Sequence, residues 1–209
     1  MAEPGSTRVA ARPSARRAAL TKARILDAAA AAFCELGYRR MRLEDVAARA
    51  GVSRALVYNY FHTKETLLQR VRDRALAGWR AAVETQIARA GGAGEKLATM
   101  VRHTLLYARE RPFLQAILSD DVRAVVLGPD LSTRSAIDAW RDRLAEVLRA
   151  GIAAGEIRAD MDVMHTAEAL RAMQMGIIDR MHSRDSAMPT NDIAHVDAAV
   201  ALIVRGVLR

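Results

Sequence analysis

The chain is poor in several residue types, and each shortage excludes something. A single cysteine, Cys34, cannot make an internal disulfide. Its place on the first predicted helix suits a small core residue. Aromatic residues are only 4%, so a core must be built from Ala, Leu, Val, Ile and nine Met. Few Gly and Pro interrupt the middle of the chain, which favours helices over a sheet. The five histidines, His62, His103, His165, His182 and His195, form no close ligand cluster, so neither a metal nor another cofactor is expected. No nucleophile–base pair or phosphate-cradling glycine loop stands out, which argues against an enzyme. Residues 1–18 hold no apolar run long enough for a signal peptide, and no membrane partner is expected.

What is abundant is positive charge in one place. The formal net charge is +8. Residues 1–64 carry twelve Lys or Arg against five acids, whereas the remaining 145 carry twenty against nineteen. Excess charge confined to one end is the pattern of a surface that displaces counterions from a phosphate backbone. The segment 1–18 mixes Pro, Gly and Ser with arginine and reads as a disordered basic arm. Its Arg12, Arg16 and Arg17 either enter a minor groove beside a binding site or are simply solvated.

The stretch from Arg42 to Lys64 explains the charge. Leu43, Val46, Ala47 and Ala50 recur at helical spacing, with Glu44, Asp45 and Arg49 on the other side. Gly51 ends that helix, because glycine adopts the left-handed conformation at little cost. Ser53 is an N-cap for a second helix reaching about Tyr60. The pair is a helix-turn-helix. On the second helix Val57 and Phe61 point one way and can be buried. Arg54, Tyr58, Asn59 and Tyr60 cannot all follow. An arginine that forks onto guanine, an asparagine suited to adenine, and tyrosine hydroxyls in reach of phosphate make a reading face. Ser53 with the neighbouring amides and Lys64 add phosphate contacts. The alternative is a solvated surface with an ordinary helix start at Lys64.

These residues resemble the DNA-binding domain of TetR-family transcriptional regulators over about Ala23–Leu68. The carriers are Ile25, Leu26, Asp27, Ala28, Ala29, Phe33, Gly37, Tyr38, Asp45, Val46, Ala47, Ala50, Gly51, Val52, Ser53, Val57, Tyr58, Tyr60, Phe61, Lys64, Glu65 and Leu67. The resemblance implies an all-α homodimer, with an N-terminal three-helix helix-turn-helix domain and a C-terminal helical ligand-binding and dimerisation domain. It usually implies a cytoplasmic bacterial repressor. It also implies phosphate contacts for Tyr58 and Lys64, and major-groove contacts for Ser53, Arg54, Asn59 and Tyr60. Three departures stand out. Met41 and Arg42 replace the usual hydroxyl residues before the first motif helix, and Arg42 is there either for phosphate or for solvent. Ala55 replaces a frequent glycine. Leu56 replaces a frequent threonine and either presses on a thymine methyl or packs on the first motif helix.

The expected domains are the arm at 1–18, the DNA-binding domain at 19–64 and the effector and dimerisation domain at 65–209. A helix from about Ala18 to Leu36, stopped by Gly37, braces the motif through Ile25, Leu26, Ala29 and Phe33. A long helix from Lys64 to about Ala90 is the natural lever between head and body. In the body, Asp120 and Asp121 read as a helix-terminus pair rather than a cation site. Helices over about 163–183 and 191–208 close the chain, the last with Ile193, Val196, Val200, Ile203 and Val207 in a seam. The resemblance suggests that this seam meets a second copy, and the alternative is an internal core seam. Trp79, His103, Tyr107, Phe113, Trp140, Met173 and Met175 are the candidate lining of an effector pocket, with ordinary core packing as the alternative. The partners implied are double-stranded DNA, a second copy of the chain and an unknown small, largely apolar effector. Two competing readings remain: an architectural DNA-binding protein without an effector, and a helical enzyme with a helix-turn-helix appendage.

Overall fold

The computed structural model describes residues 13–118, 131–182 and 193–208. Among them are nine helices: α1 Pro13–Arg40, α2 Leu43–Ala50, α3 Arg54–Tyr60, α4 Lys64–Ile87, α5 Ala93–Arg109, α6 Pro112–Leu118, α7 Leu131–Ala153, α8 Val163–His182 and α9 Ile193–Val207. The only pairing of extended residues among those described is an isolated antiparallel bridge, Ile157 to Leu208. The chain divides into two compact units, Met1–Val71 and Arg72–Arg209. The division falls inside α4 because Leu67, Leu68 and Val71 are buried in its first turns. No helix among the described residues is long and apolar enough to cross a membrane.

The first unit is three helices and the start of α4. α1 begins at Pro13, five residues before the point where apolar periodicity becomes legible, so residues 13–18 are helical rather than part of a disordered arm. Proline at a helix start gives up no hydrogen bond, and the alanines that follow are strong helix formers. Residues 1–12, Arg12 among them, lie outside the described residues. Gly37 kinks α1 with φ 71 and ψ 167, a conformation closed to most side chains. Ile25, Ala29, Ala32 and Phe33 of α1 meet Val46 and Ala47 of α2, with Met41, Val57 and Phe61 completing a core in which none of these is more than 4% exposed. Burying each larger aliphatic or aromatic side chain is worth about 1.5–3 kcal/mol, and Val57 ties α3 to this core. Cys34 is not in that core. It lies on the exposed side of α1, because the stripe of buried positions passes through Phe33 and Ala29 instead.

In the second unit α5 is the central helix, with Leu97, Met100, Val101, Thr104, Leu105 and Ala108 buried. It packs against α6, α7, α8 and α9, and α7 pairs with α8. Every residue of α6 from Phe113 to Leu118 is buried. Asp162 caps α8, its carboxylate accepting the His165 amide at 2.8 Å. Gly155, at φ 75, ends the connection after α7. The predicted dimer seam proves to be internal. Val196, Val200, Ile203 and Val207 are at most 6% exposed within one chain, and α5 is the helix they face. Only Ile193 of that set is exposed. An amphipathic period shows that a helix has an apolar face but not which helix covers it. Asp120 and Asp121 lie outside the described residues.

Candidate nucleic-acid interface and effector cavity

The turn between α2 and α3 is built by local chemistry. Gly51 adopts φ 63 and ψ 41, and the Val52 amide donates back to the Ala47 carbonyl at 3.1 Å. Arg24 of α1 closes the same turn by donating from Nη2 to the Ala50 carbonyl at 2.6 Å. Nothing in the sequence pointed to Arg24, because its partner is 26 residues away and a main-chain atom. Ser53 Oγ accepts the Leu56 amide at 3.2 Å, capping α3. Arg42, without an acceptor, cannot cap α2. Asp45 instead accepts the Arg42 amide at 2.8 Å, half of a capping box. The guanidinium of Arg42 is left exposed.

Anchored by buried Val57, α3 presents Ser53, Arg54, Tyr58 and Asn59 to solvent. Tyr60 and Leu56 are half-buried, and the Tyr60 ring lies 6.2 Å from that of Phe61. The outward residues are not all free. Arg54 Nη2 forms an ion pair with Glu44 Oε1 of α2, and the Tyr58 hydroxyl donates to the same oxygen at 3.3 Å. The main-chain hydrogen bond of Glu44, the charge of Arg54 and these side-chain bonds hold its carboxyl below the ordinary range. Lys64 is likewise engaged. Its Nζ donates to the Tyr38 carbonyl at 2.8 Å and lies 4.2 Å from the centre of the Tyr38 ring. Tyr38 in turn donates to Glu65 Oε1 at 2.6 Å, which raises the phenol and lowers the carboxyl. An ammonium has three donors, so Lys64 keeps two for a phosphate.

In the second unit, Trp79 and Trp140 meet with ring centres 4.7 Å apart at 59°. Each buried indole N–H is satisfied, Trp79 by Thr104 Oγ1 at 3.3 Å and Trp140 by Gln174 Oε1 at 3.0 Å. Beside them is an apolar cavity lined by Leu76, Trp79, Leu118, Ile137, Trp140, Arg171 and Met175. Its interior is ≈ 10 Å³, room for about one water molecule. Of the seven expected lining residues, Trp79, Trp140 and Met175 are there. Phe113 is buried in α6, whereas His103 and Tyr107 are half-buried on α5. Burial and the nearby Arg102 lower the His103 imidazole. Arg111 stacks 3.6 Å from the Tyr107 ring. Met173 is 40% exposed on the outer face of α8 and does not line this cavity. Arg171 was missed; its guanidinium is bound by Glu168, which raises it, while its stem reaches the cavity.

Two outer stripes of this unit are exposed among the described residues. On α8 these are Ala169, Ala172, Met173 and Gly176, and on α9 Ala198, Ala201 and Leu202. Leu202 is 67% exposed, unusual for a large aliphatic residue on a helix whose opposite side is packed.

The sequence matches two family models, one described as bacterial regulatory proteins of the tetR family over residues 25–71, the other as a tetracyclin repressor-like C-terminal domain over 131–196. A fatty acid metabolism regulator protein of Bacillus subtilis is 28% identical over 74% of this chain and 78% of its own. The fold is similar to that of the fatty acid degradation regulator FadR from Bacillus halodurans, with TM-score 0.78 and 20% identity over 89% of this chain and 95% of that one. It is also similar to PfmR, a TetR-family transcriptional regulator from Thermus thermophilus, with TM-score 0.71 and 27% identity over 89% of this chain and 100% of that one.

Proposed function

The chain belongs to the TetR family of bacterial DNA-binding transcriptional regulators, and from that premise we propose that it is a homodimeric repressor released from a palindromic operator by a small, largely apolar effector. The observation that carries this reading is the outer face of α3. Arg54, Tyr58 and Asn59 project from a seven-residue helix whose other side is clamped by Val57, within residues 1–64, which hold nearly all the excess positive charge. Ser53, Arg54, Asn59 and Tyr60 are assigned to base edges, and Arg42, Tyr58 and Lys64 to phosphates. On this reading the protein acts in the cytoplasm, where its DNA is, and as a regulator rather than an enzyme.

The exposed stripes of α8 and α9, around Met173, Gly176, Ala198 and Leu202, take the place of the Val196–Val207 seam as the dimer face. Small residues let helices approach closely, and the exposed Met and Leu supply apolar area. Two heads held this way fit successive major grooves about one turn, roughly 34–36 Å, apart.

The cavity beside Trp79 and Trp140 has room for about one water among the described residues, so an effector that binds against these two rings displaces side chains there. A ligand of that kind binds the expanded body far better than the closed one, and only such a difference shifts an equilibrium. α4 carries both Lys64 and the cavity residues Leu76 and Trp79, so a reshaped body moves it and changes the spacing of the heads. Coupling of about 1–3 kcal/mol between effector and operator follows from such a shift. A second reading is an effector-independent architectural DNA-binding protein.

Selection of bound sequences from a random DNA pool at fixed salt separates the two. Enrichment of an inverted repeat, with affinity far above that for random DNA, supports the regulator. Undiminished affinity for every sequence supports the architectural protein.

A further inference from the structure

We propose that Glu44 is a positioning residue for DNA reading: it holds Arg54 and Tyr58 in one arrangement and thereby sets the base preference at the pair that Arg54 contacts. The inference rests on the assignment of α3 as the reading helix.

The geometry is specific. Glu44 lies in the first turn of α2, whereas Arg54 and Tyr58 are four residues apart on α3 and share its outward face. One carboxylate oxygen, Oε1, receives both Arg54 Nη2 and the Tyr58 hydroxyl. The helix that carries that oxygen is well anchored. Leu43, Val46, Ala47 and Ala50 bury the other side of α2, Asp45 ties down its start, and Arg24 and Gly51 fix its end. A free arginine has many rotamers, and a site that reads guanine bidentately needs one of them. Arg54 has five N–H donors, so a nitrogen committed to Glu44 leaves others for a base edge.

Stability does not account for the arrangement. The Arg54 side chain is 68% exposed, and exposed ion pairs contribute little to folding. The carboxylate is moreover a negative charge on a surface that meets phosphates, so it opposes DNA binding in general. Two effects of opposite sign follow. Removing the charge strengthens binding to random DNA, and removing the tether weakens discrimination.

The test compares full-length wild type, Glu44→Ala, Arg54→Ala and the double variant. Each is titrated at one ionic strength against the best selected site, all its single base-pair variants and random DNA, and its thermal midpoint is recorded. Arg54→Ala identifies its base pair by losing preference there. Glu44→Ala, which removes both the charge and the acceptor, is expected to lower discrimination at that same pair by about threefold to tenfold, part of what a bidentate arginine supplies. It is expected to bind random DNA at least as tightly as wild type, with an unchanged midpoint. In the Arg54→Ala background it has no further effect on preference. Glu44→Asp, which keeps the charge but shortens the reach, loses discrimination without gaining random affinity, and serves if Glu44→Ala folds poorly.

Unchanged discrimination in Glu44→Ala, with Arg54→Ala effective, overturns the inference and leaves α3 as the reading helix. An effect at a different base pair that persists without Arg54 also overturns it, since Glu44 then touches DNA itself. No base effect of Arg54→Ala removes the assignment of α3 and the inference together.

Discussion

Gln174 and Trp140 share a buried hydrogen bond whose worth to the body is open to direct measurement. Gln174 is fully buried and Trp140 is 3% exposed. Gln174→Met keeps the length and approximate volume of the side chain while removing both polar ends of the amide. The Met100 carbonyl loses a long partner at 3.4 Å but keeps its place in the middle of α5, so that loss is small. The Trp140 N–H loses its acceptor at 3.0 Å and gains none. An orphaned buried donor costs about 1–3 kcal/mol, and that range is the expected destabilisation. Adding Trp140→Phe removes the donor as well, so the double variant should be more stable than additivity predicts by about 1 kcal/mol or more. Guanidinium unfolding followed by tryptophan fluorescence is the assay, at one protomer concentration because a dimer's stability depends on it. Trp79 and Trp140 are the two tryptophans of the chain and both sit in the second unit, so the signal reports that unit. A Gln174→Met protein within about 0.5 kcal/mol of wild type, or strictly additive variants, would falsify the claim that this bond anchors the tryptophan pair.

Three other outcomes are expected. Gly51→Ala forces a side chain into φ 63 and brings its Cβ to 3.1 Å from Arg24 Nη2, so the head should lose about 1–2 kcal/mol, read from amide exchange of α2 and α3. Lys64→Ala should weaken binding to all DNA sequences alike and flatten the slope of log affinity against log salt by about one; a change confined to one base pair would contradict the phosphate assignment. The Arg158 side chain holds Asp160 at about 2, against 3.8 for the free group. A depressed carboxyl pKa contributes stability that is present above the unfolded value and lost as pH falls from about 3.8 through about 2. Carboxyl NMR should show Asp160 titrating near the lower value and returning toward the upper one in Arg158→Gln.

Much of the head was legible because its determinants are local. Gly51 in a left-handed turn, Ser53 as a cap and the spacing of Val46, Ala47, Ala50 and Val57 each act within a few residues, so the order of letters carries the geometry. The bounds of α8 and α9 were legible within about two residues for the same reason. The start of α1 was not, since the alanine-rich run after Pro13 has no apolar period to announce a helix.

Partnerships over longer distances followed a different rule. The Val196, Val200, Ile203 and Val207 stripe was visible as a stripe, yet the same spacing serves a core helix and a dimer helix, and only the position of α5 distinguished them. Met173 and Met175 are two residues apart, one on the outer face of α8 and one on the cavity wall, a separation that depends on where α7 and α4 lie. Arg24 at the Ala50 carbonyl, Glu44 between Arg54 and Tyr58, and Gln174 under Trp140 are contacts between helices distant in sequence. The sequence by itself determined an all-helical chain with a basic helix-turn-helix head, because caps, turns and amphipathic periods are short-range. The tertiary structure alone decided which apolar faces are used by the core, which side chains meet at the cavity and which carboxylate pairs with Arg54, because those depend on how whole helices are brought together.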